Sequence, residues 1–173
     1  ASEIDPHSIN VSKANFPEII HLGDIKDISA NLLPKIDLLI GGSPCQDLSN
    51  AQNGKGLKGA KSRLFYEYIR LLKQTNPKYF LLENVKNKWA NLMSEIVGVD
   101  FVEINSNLFT AQSRPRYYWT NLDFEELPAR ISETKIEDIL EKNVADKYYY
   151  KSTLIDNFLK HTENNLESTK DGI

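Results

Sequence analysis

Residues 36–46 read Ile-Asp-Leu-Leu-Ile-Gly-Gly-Ser-Pro-Cys-Gln. The first five form a short apolar run, which predicts a buried strand, and the glycine pair with Pro44 predicts a turn after it. Cys45, a lone thiol at this turn, can be held in place and presented to a substrate. The alternative is a small buried hydrophobic residue, as free cysteines usually are. A cysteine used only for packing does not need a glycine pair and a proline before it.

The composition is that of one domain of ordinary size. The chain has 173 residues, 40% of them hydrophobic, and its single cysteine excludes an internal disulfide. No cysteine and histidine cluster suggests zinc, so no metal is expected. No apolar run reaches membrane-spanning length and no signal peptide is evident. We therefore expect no membrane partner and a cytoplasmic location, or a nuclear one in a eukaryote.

Charge is distributed unevenly along a chain whose net charge is −3. A stretch without acidic residues carries Lys55, Lys58, Lys61 and Arg63. Its glycines predict a mobile loop, and its cations suit phosphate. The alternative is an ordinary solvated loop.

Strands alternate with helices along the rest of the chain. Beyond residues 36–40, we predict strands at 18–22, 78–85, 101–104, 117–119 and 148–150, and we interpret residues 2–5 as the end of another. Helices are predicted from Pro6, from Ser62, over 91–97, after a capping box that starts at Thr134, and over 152–161. This alternation predicts an α/β fold with a mostly parallel sheet covered on both faces. Ligands bind such sheets beyond the carboxyl ends of the strands, where Asp24, Cys45 and Glu83 all fall.

Two later segments supply an acid and a pair of cations. Glu83 follows three apolar residues, so its carboxyl group lies beside buried surface and could donate a hydrogen bond or a proton. Alternatively, it caps a helix or pairs with Lys86. Arg114 and Arg116 flank Pro115 in an extended segment, where alternate side chains face the same way. Both guanidinium groups could therefore point at one site, the alternative being a surface pair.

Six short segments, in this order, resemble the DNA (cytosine-5)-methyltransferases over about residues 2–121. They are Glu3-Ile4-Asp5, Gly23-Asp24-Ile25, Gly42-Ser43-Pro44-Cys45-Gln46, Ser62-Arg63-Leu64-Phe65, Glu83-Asn84-Val85 and Gln112-Ser113-Arg114-Pro115-Arg116. The sequence around Cys45 is similar to that of the de novo-type branch of the family. The resemblance implies a Rossmann-like class I fold that uses S-adenosylmethionine, with helices on both faces of the sheet.

The resemblance also implies a mechanism in which cytosine is flipped out of double-stranded DNA. Cys45 would attack C6, and Glu83 would engage N3 and the exocyclic amine. Arg116 would bind O2, and Arg114 would support the same pocket. C5 then takes the methyl group of S-adenosylmethionine, and loss of the C5 proton releases the thiol.

Further residues acquire expected roles from the same resemblance. Glu3 would hold the cofactor ribose, Ile4 and Leu64 would pack on adenine, and Asp24 and Ile25 would read its edge. Ile4 and Leu64 could instead be core residues. The residues expected to contact DNA are Gln46, Ser49, Lys55, Lys58, Lys61, Arg63, Asn84 and Gln112.

The chain departs from the family at both ends. Neither the first strand with its glycine-rich turn nor a clear target-recognition region is recognisable. We expect residues 1–121 to form an incomplete catalytic core and 122–173 to form a connector and the start of the recognition region. Unpaired strand edges and exposed apolar surface are then expected, with no methyl transfer by the isolated chain. The alternatives are one subunit of a split enzyme with a complementary chain, a non-catalytic DNA-binding or regulatory relative, and an RNA cytosine methyltransferase.

Overall fold

The computed structural model describes residues 1–44, 63–123, 126–127 and 132–148. Its helices and strands are α1 (Pro6–Asn15), β1 (Leu38–Gly42), α2 (Arg63–Thr75), β2 (Tyr79–Val85), α3 (Ala90–Val97), β3 (Phe101–Asn105), β4 (Pro115–Thr120) and α4 (Ile136–Ile139). Single 3-10 turns lie at Ile25–Asp27, Ala30–Leu32, Ser106–Leu108 and Asp146–Tyr148. The predicted alternation of strands and helices from residue 36 to residue 120 is confirmed within these ranges.

The four described strands form one sheet in the order β1-β2-β4-β3. β1 runs parallel to β2, whereas β4 is antiparallel to both of its neighbours, so three strands share one direction. β3 ends at Asn105 and β4 begins at Pro115. A segment this short favours a return in the opposite direction, because a parallel crossover needs about a dozen residues or more. The ends of β1 and β2 therefore meet at one edge of the sheet.

One face of the sheet is covered by α2 and α3. Along β2 the residues Phe80, Leu82 and Asn84 are buried, and their neighbours on the opposite face are only half-buried. Trp119 of β4 lies opposite Leu82 and is fully buried. The helices contribute Phe65, Tyr68, Ile69, Ala90 and Met93 to the same core. Since α2 and α3 pack on this one face, helices on the other face stay a prediction.

The opposite face of the sheet exposes apolar side chains. Leu38 and Ile40 of β1 are 44% and 64% exposed. The register places Ile40 beside Leu81, and Gly42 beside Glu83, on this face. The expectation of exposed apolar surface is therefore confirmed for β1.

The strands predicted near the beginning of the chain are wrong. Residues 2–5 and 18–22 run beside each other without forming a ladder. Leu22 N–H donates to the carbonyl oxygen of Ala1, and the Ser2 hydroxyl donates to that of Gly23, both at 2.8 Å. These bonds are too few to define strands, and Ile20 is 74% exposed. An apolar run becomes a strand only where a partner strand continues the hydrogen bonding.

The helix ends test the capping predictions. The side chain of Asp5 caps α1 by accepting a hydrogen bond from His7 N–H at 3.0 Å, and Pro6 opens the helix as predicted. The N-cap residue of α4 is Lys135, one residue after the predicted Thr134, and its side chain cannot accept the second hydrogen bond of a capping box. There Asp138 accepts from Lys135 N–H at 2.8 Å.

The chain divides into two compact units, Ala1–Glu133 and Thr134–Ile173. The sheet lies in the first, and the described part of the second holds α4 and a 3-10 turn. Tyr148 belongs to that turn, so the strand predicted at 148–150 is wrong at its first residue. The rest of that strand and the helix predicted at 152–161 lie outside the described residues, and the boundary predicted after residue 121 stays a prediction. No helix in the described ranges is long and apolar enough to cross a membrane.

Candidate active site

An ion pair between β2 and β4 forms the centre of the candidate site. In the antiparallel register Glu83 lies opposite Tyr118, two residues beyond Arg116, so Glu83 and Arg116 are diagonal neighbours on one face. Nε of Arg116 lies 2.8 Å from Oε1 of Glu83, and the two side chains are 17% and 35% exposed. The contact is primarily electrostatic, because Nε–H makes no well-directed hydrogen bond within the described residues. Nη1 of Arg116 donates to the carbonyl oxygen of Pro115 at 2.8 Å, which helps to orient the guanidinium group.

This pair can recognise a planar polar ring. Oε2 of Glu83 remains beside the ion pair as an acceptor, and the fork of Arg116 offers further N–H donors. A ring with an amine at one position and a carbonyl oxygen at another could bond to both side chains. The alternative pairing of Glu83 with Lys86 is wrong. Lys86 instead contacts Glu103 at 2.9 Å, and this hydrogen-bonded carboxylate raises the pKa of Lys86.

The glycine pair of β1 is explained by close neighbours on the two faces of the sheet. A Cβ atom on Gly41 would lie 2.5 Å from the ring of Tyr68 in α2, a clash that requires movement. The Tyr68 hydroxyl donates to the carbonyl oxygen of Leu39 at 3.3 Å, which ties the ring to β1. On the other face, a Cβ atom on Gly42 would lie 3.2 Å from Oε2 of Glu83. Gly41 therefore serves the core, whereas Gly42 leaves room for the carboxylate.

Asn84 lies inside the protein, and this corrects its predicted role in DNA contact. It is 1% exposed, on the face of β2 that packs against the helices. Its Nδ2 donates to the carbonyl oxygen and to the hydroxyl of Ser43, at 3.1 and 2.8 Å. Its Oδ1 accepts from Val85 N–H at 2.8 Å. These bonds leave Asn84 facing the chain that exits β1 rather than the solvent.

The two arginines predicted to share a site are separated by the start of β4. Arg116 is inside the strand and joins Glu83, whereas Arg114 precedes the strand and is exposed. Within the described residues the guanidinium group of Arg114 makes no hydrogen bond or ion pair. Gln112 is likewise exposed on the segment before β4. Among the described residues predicted to be catalytic, the structure thus brings Glu83 and Arg116 together and leaves Arg114 apart.

Asn105, which the sequence analysis did not select, shapes the segment that carries Arg114. Its Oδ1 accepts from the N–H groups of Asn107 and Arg114, at 3.1 and 2.8 Å. The Ser106 hydroxyl donates a hydrogen bond to the carbonyl oxygen of Gln112 at 2.7 Å. An asparagine and a serine directly after the apolar part of a strand are a turn signal that could have identified both residues.

Two of the residues predicted to bind the cofactor lie on neighbouring segments. The hydrogen bond from Ser2 to Gly23 places Glu3 and Asp24 on adjacent stretches of chain. Oε1 of Glu3 accepts from its own neighbouring N–H groups, and the Asp24 carboxylate contacts Lys26 Nζ at 2.8 Å. The hydrogen bonds from Lys26 hold the pKa of Asp24 below its usual range. Both carboxyl groups are therefore partly satisfied by their own segments.

The apolar residues of this predicted group differ in exposure. The carbonyl oxygen of Ile25 accepts from Nη2 of Arg70 at 3.0 Å, which places Ile25 against α2. Leu64, in the first turn of the same helix, is half-buried. Ile4 is 67% exposed, so the alternative of a core position for Ile4 is wrong. An exposed isoleucine beside Glu3 is available to a flat apolar group such as an adenine ring.

Several predicted site residues lie outside the described part of the chain. They are Cys45, Gln46, Ser49, Lys55, Lys58 and Lys61. Arg63 is described and is exposed as the first residue of α2. Among the described residues, no group of three or more histidine, cysteine, aspartate or glutamate side chains is arranged to hold a metal ion.

Comparison with known proteins shows the family to which this chain belongs. The family model of the C-5 cytosine-specific DNA methylases matches residues 1–109. The chain belongs to this family. Type II methyltransferase M1.ScrFI of Lactococcus lactis subsp. cremoris is 34% identical in an alignment of 195 positions, gaps included, that covers 99% of this chain and 49% of that protein. Orphan methyltransferase M.SPRI of Bacillus phage SPR is 37% identical over 132 residues, which cover 68% of this chain and 30% of that protein.

Solved structures show the same fold. A DNA modification methyltransferase encoded within an E. coli prophage superposes with a TM-score of 0.66 at 25% identity, covering 84% of this chain and 49% of that one. A mutant of DNMT2 from Spodoptera frugiperda gives a TM-score of 0.56 at 26% identity, covering 85% of this chain and 53% of that one. The fold is that of the class I methyltransferases. The chain spans about half the length of M1.ScrFI and of both solved structures.

Proposed function

We propose that this protein methylates C5 of cytosine in double-stranded DNA and takes the methyl group from S-adenosylmethionine. The observation that carries the proposal is the contact of 2.8 Å between Glu83 and Arg116. This pair lies beside Gly42, the last residue of β1, and Ser43 and Pro44 then lead to Cys45, the only cysteine of the sequence. Membership of the C-5 cytosine-specific DNA methylases supports the choice of base and polymer.

In the proposed reaction, the base first leaves the duplex stack, because its reacting atoms are inaccessible inside the helix. The thiolate of Cys45 forms a bond to C6, and the electrons of the C5–C6 double bond shift toward C5 and N3. The Glu83 carboxyl group gives a proton to N3 and accepts a hydrogen bond from the exocyclic amine, and Arg116 donates to O2, where negative charge develops. A base removes the proton from C5 after methylation, the double bond re-forms, and the bond from sulfur to C6 breaks.

The cofactor fits the residues gathered around Glu3 and Asp24. Bound S-adenosylmethionine supplies an electrophilic methyl group on a sulfonium. Glu3 would bind the ribose hydroxyls with its free carboxylate oxygen, and Ile4 would pack on one face of the adenine. Asp24 and Ile25 would contact the adenine edge, and Leu64 would close its other face. The exposure of Ile4 supports this assignment.

The DNA surface is proposed from exposed residues at the start of α2 and before β4. Arg63, Gln112 and Arg114 are all exposed. Their donors suit phosphate and base oxygens. We assign Gln46, Ser49, Lys55, Lys58 and Lys61 to the same surface on the basis of the sequence.

A type II modification role is the biological context that we propose, since M1.ScrFI carries the name of a type II methyltransferase. Nothing in the comparisons supports a complementary chain, so the proposal does not include one. An RNA substrate or a non-catalytic role remain the competing functions.

The test is a methyl-transfer assay with radiolabelled S-adenosylmethionine on the protein at its full encoded length. Unmethylated duplex DNA should accept label at C5 of cytosine, tRNA should not, and Cys45→Ala should abolish transfer. Label on tRNA alone would favour the RNA enzyme. No label on either, with DNA still bound, would favour the non-catalytic relative.

A further inference from the structure

The geometry points to Asn84 as the residue that positions the nucleophile of the proposed reaction, by holding the chain that leads from β1 to Cys45. The inference rests on the proposed function and adds to it a residue that touches neither base nor cofactor. It begins at the parallel ladder of β1 and β2, which ends with Gly42 beside Glu83. Beyond that point, the side chain of Asn84 provides hydrogen bonds to the departing strand.

Both polar atoms of the Asn84 side chain make hydrogen bonds that hold Ser43 against β2. Nδ2 uses its two hydrogens on one residue, the carbonyl oxygen and the hydroxyl of Ser43. Oδ1 accepts from Val85 N–H, which fixes the amide plane against its own strand. The side chain is 1% exposed, so water does not compete for these bonds. A rigid amide thus sets the position of Ser43.

The neighbouring residue explains why this position matters. Pro44, between Ser43 and Cys45, has a fixed φ angle and no N–H, so it transmits the position of Ser43 with little freedom. Glu83 precedes Asn84 on the same strand and faces the opposite side of the sheet. The two adjacent residues therefore fix two partners of the reaction relative to one strand: Glu83 the base, and Asn84 the lead-in to the thiol. A misplacement of about 1 Å at a reacting group can cost about 10²-fold in rate.

Asn87 offers a matched control for the role of Asn84. It is also a buried asparagine, 7% exposed, in the turn that follows β2. Its bonds are local: Nδ2 donates to the carbonyl oxygen of Val85 at 2.8 Å, and Oδ1 accepts from Trp89 N–H at 2.9 Å. Asn87→Ala therefore removes a buried amide of the same kind without touching Ser43.

The experiment measures covalent trapping of Cys45 by duplex DNA containing 5-fluorocytosine, with S-adenosylmethionine and the protein at its full encoded length. Asn84→Ala should lower the trapping rate at saturating DNA by at least tenfold, with half-saturating DNA and cofactor concentrations within about twofold of wild type. Asn87→Ala should trap within about threefold of wild type, with thermal unfolding recorded for both. Ser43→Ala, which removes one acceptor, should give a smaller loss that disappears in the Asn84→Ala background. A smaller than tenfold loss in Asn84→Ala, or an equal loss in Asn87→Ala, would overturn the inference.

A second readout needs no DNA and separates this inference from the proposed function. The rate of alkylation of Cys45 by iodoacetamide is followed in the free protein by mass spectrometry of the peptide that contains it. Asn84→Ala should raise this rate at least threefold, because Ser43 loses both hydrogen bonds from Asn84, and Asn87→Ala should leave it near the wild-type value. If the wild-type protein fails to trap DNA, the proposed function is wrong, and this rate alone decides the role of Asn84. A change below threefold then rejects it.

Discussion

Glu83 and Asn84 are neighbours in sequence and opposites in environment. The side chain of Glu83 is 35% exposed and pairs with Arg116, whereas Asn84 is 1% exposed and bonds to Ser43. The difference follows from the two-residue period of a strand, which turns successive side chains to opposite faces. One face of β2 therefore presents Glu83 to Arg116, and the other packs the core and holds Ser43. The two faces should respond differently to substitution.

The largest expected effect is on the face that carries Glu83. Glu83→Gln keeps the shape of the side chain, but the amide can neither give a proton to N3 of the base nor balance the charge of Arg116. We expect the trapping rate with 5-fluorocytosine DNA to fall by about 10²- to 10³-fold, or roughly 3–4 kcal/mol. Glu103→Gln is the control, since Glu103 pairs with Lys86 at the surface. Equal losses in the two variants would contradict the assignment.

Substitutions on the face of β2 that packs against α2 and α3 should lower the free energy of unfolding more than substitutions on the other face. Leu82 is fully buried, whereas Leu81 is half-buried on the other face. Leu82→Ala should lower the free energy of unfolding by about 3 kcal/mol, through lost burial and a cavity. Leu81→Ala should lower it by only about 1 kcal/mol. Urea denaturation measures both changes, and a larger loss for Leu81→Ala would reverse the comparison of the two faces.

The glycine pair allows a finer test of the same contrast. Gly41→Ala places a methyl group against the Tyr68 ring and should cost about 2 kcal/mol in the free energy of unfolding. Gly42→Ala meets only the carboxylate of Glu83, at 3.2 Å. It should cost less stability and slow trapping instead. Denaturation and trapping, measured on both variants, should therefore rank them in opposite orders, and the same order in both would disprove the division.

The smallest expected effect concerns pH. Burial raises the pKa of the Tyr68 hydroxyl well above its ordinary value, since the ionised form would lose its hydration. The stability that this gives is complete below about pH 10, where unfolded tyrosine is neutral, and falls as the pH rises further. The slope from Tyr68 should approach about 1.4 kcal/mol per pH unit above that point. Unfolding measured from pH 9 to 11 should show less of this loss in Tyr68→Phe, and an unchanged slope would show that Tyr68 does not titrate on unfolding.

Most of the sheet could be predicted from sequence because its strands are apolar runs bounded by glycine, proline or polar residues. The direction of β4 was not predicted, although the short segment between Asn105 and Pro115 contains that information. Residues 18–22 form no strand because their apolar pattern finds no ladder. A local apolar pattern shows that a segment is compatible with a strand, but the strand forms only where a neighbouring strand completes its hydrogen bonds.

The site was predicted in part for the same reason. Glu83 and Arg116 were both selected, but their contact depends on a register between strands more than thirty residues apart, which no local pattern encodes. The burial of Asn84 could be predicted from sequence, since Asn84 continues the every-second-residue pattern of the buried residues Phe80 and Leu82. The resemblance of Glu83-Asn84-Val85 to the family motif implied a DNA contact for Asn84 instead. Asn105 was missed because its role is to bond the backbone of a turn.

The most direct measurement is the mass of the covalent adduct formed by the protein at its full encoded length with 5-fluorocytosine DNA and S-adenosylmethionine. The account predicts that the peptide containing Cys45 gains the mass of the methylated, fluorinated nucleotide, and that Cys45→Ser gives no adduct. An adduct on another residue, or no adduct while the protein methylates ordinary cytosine DNA, would contradict it.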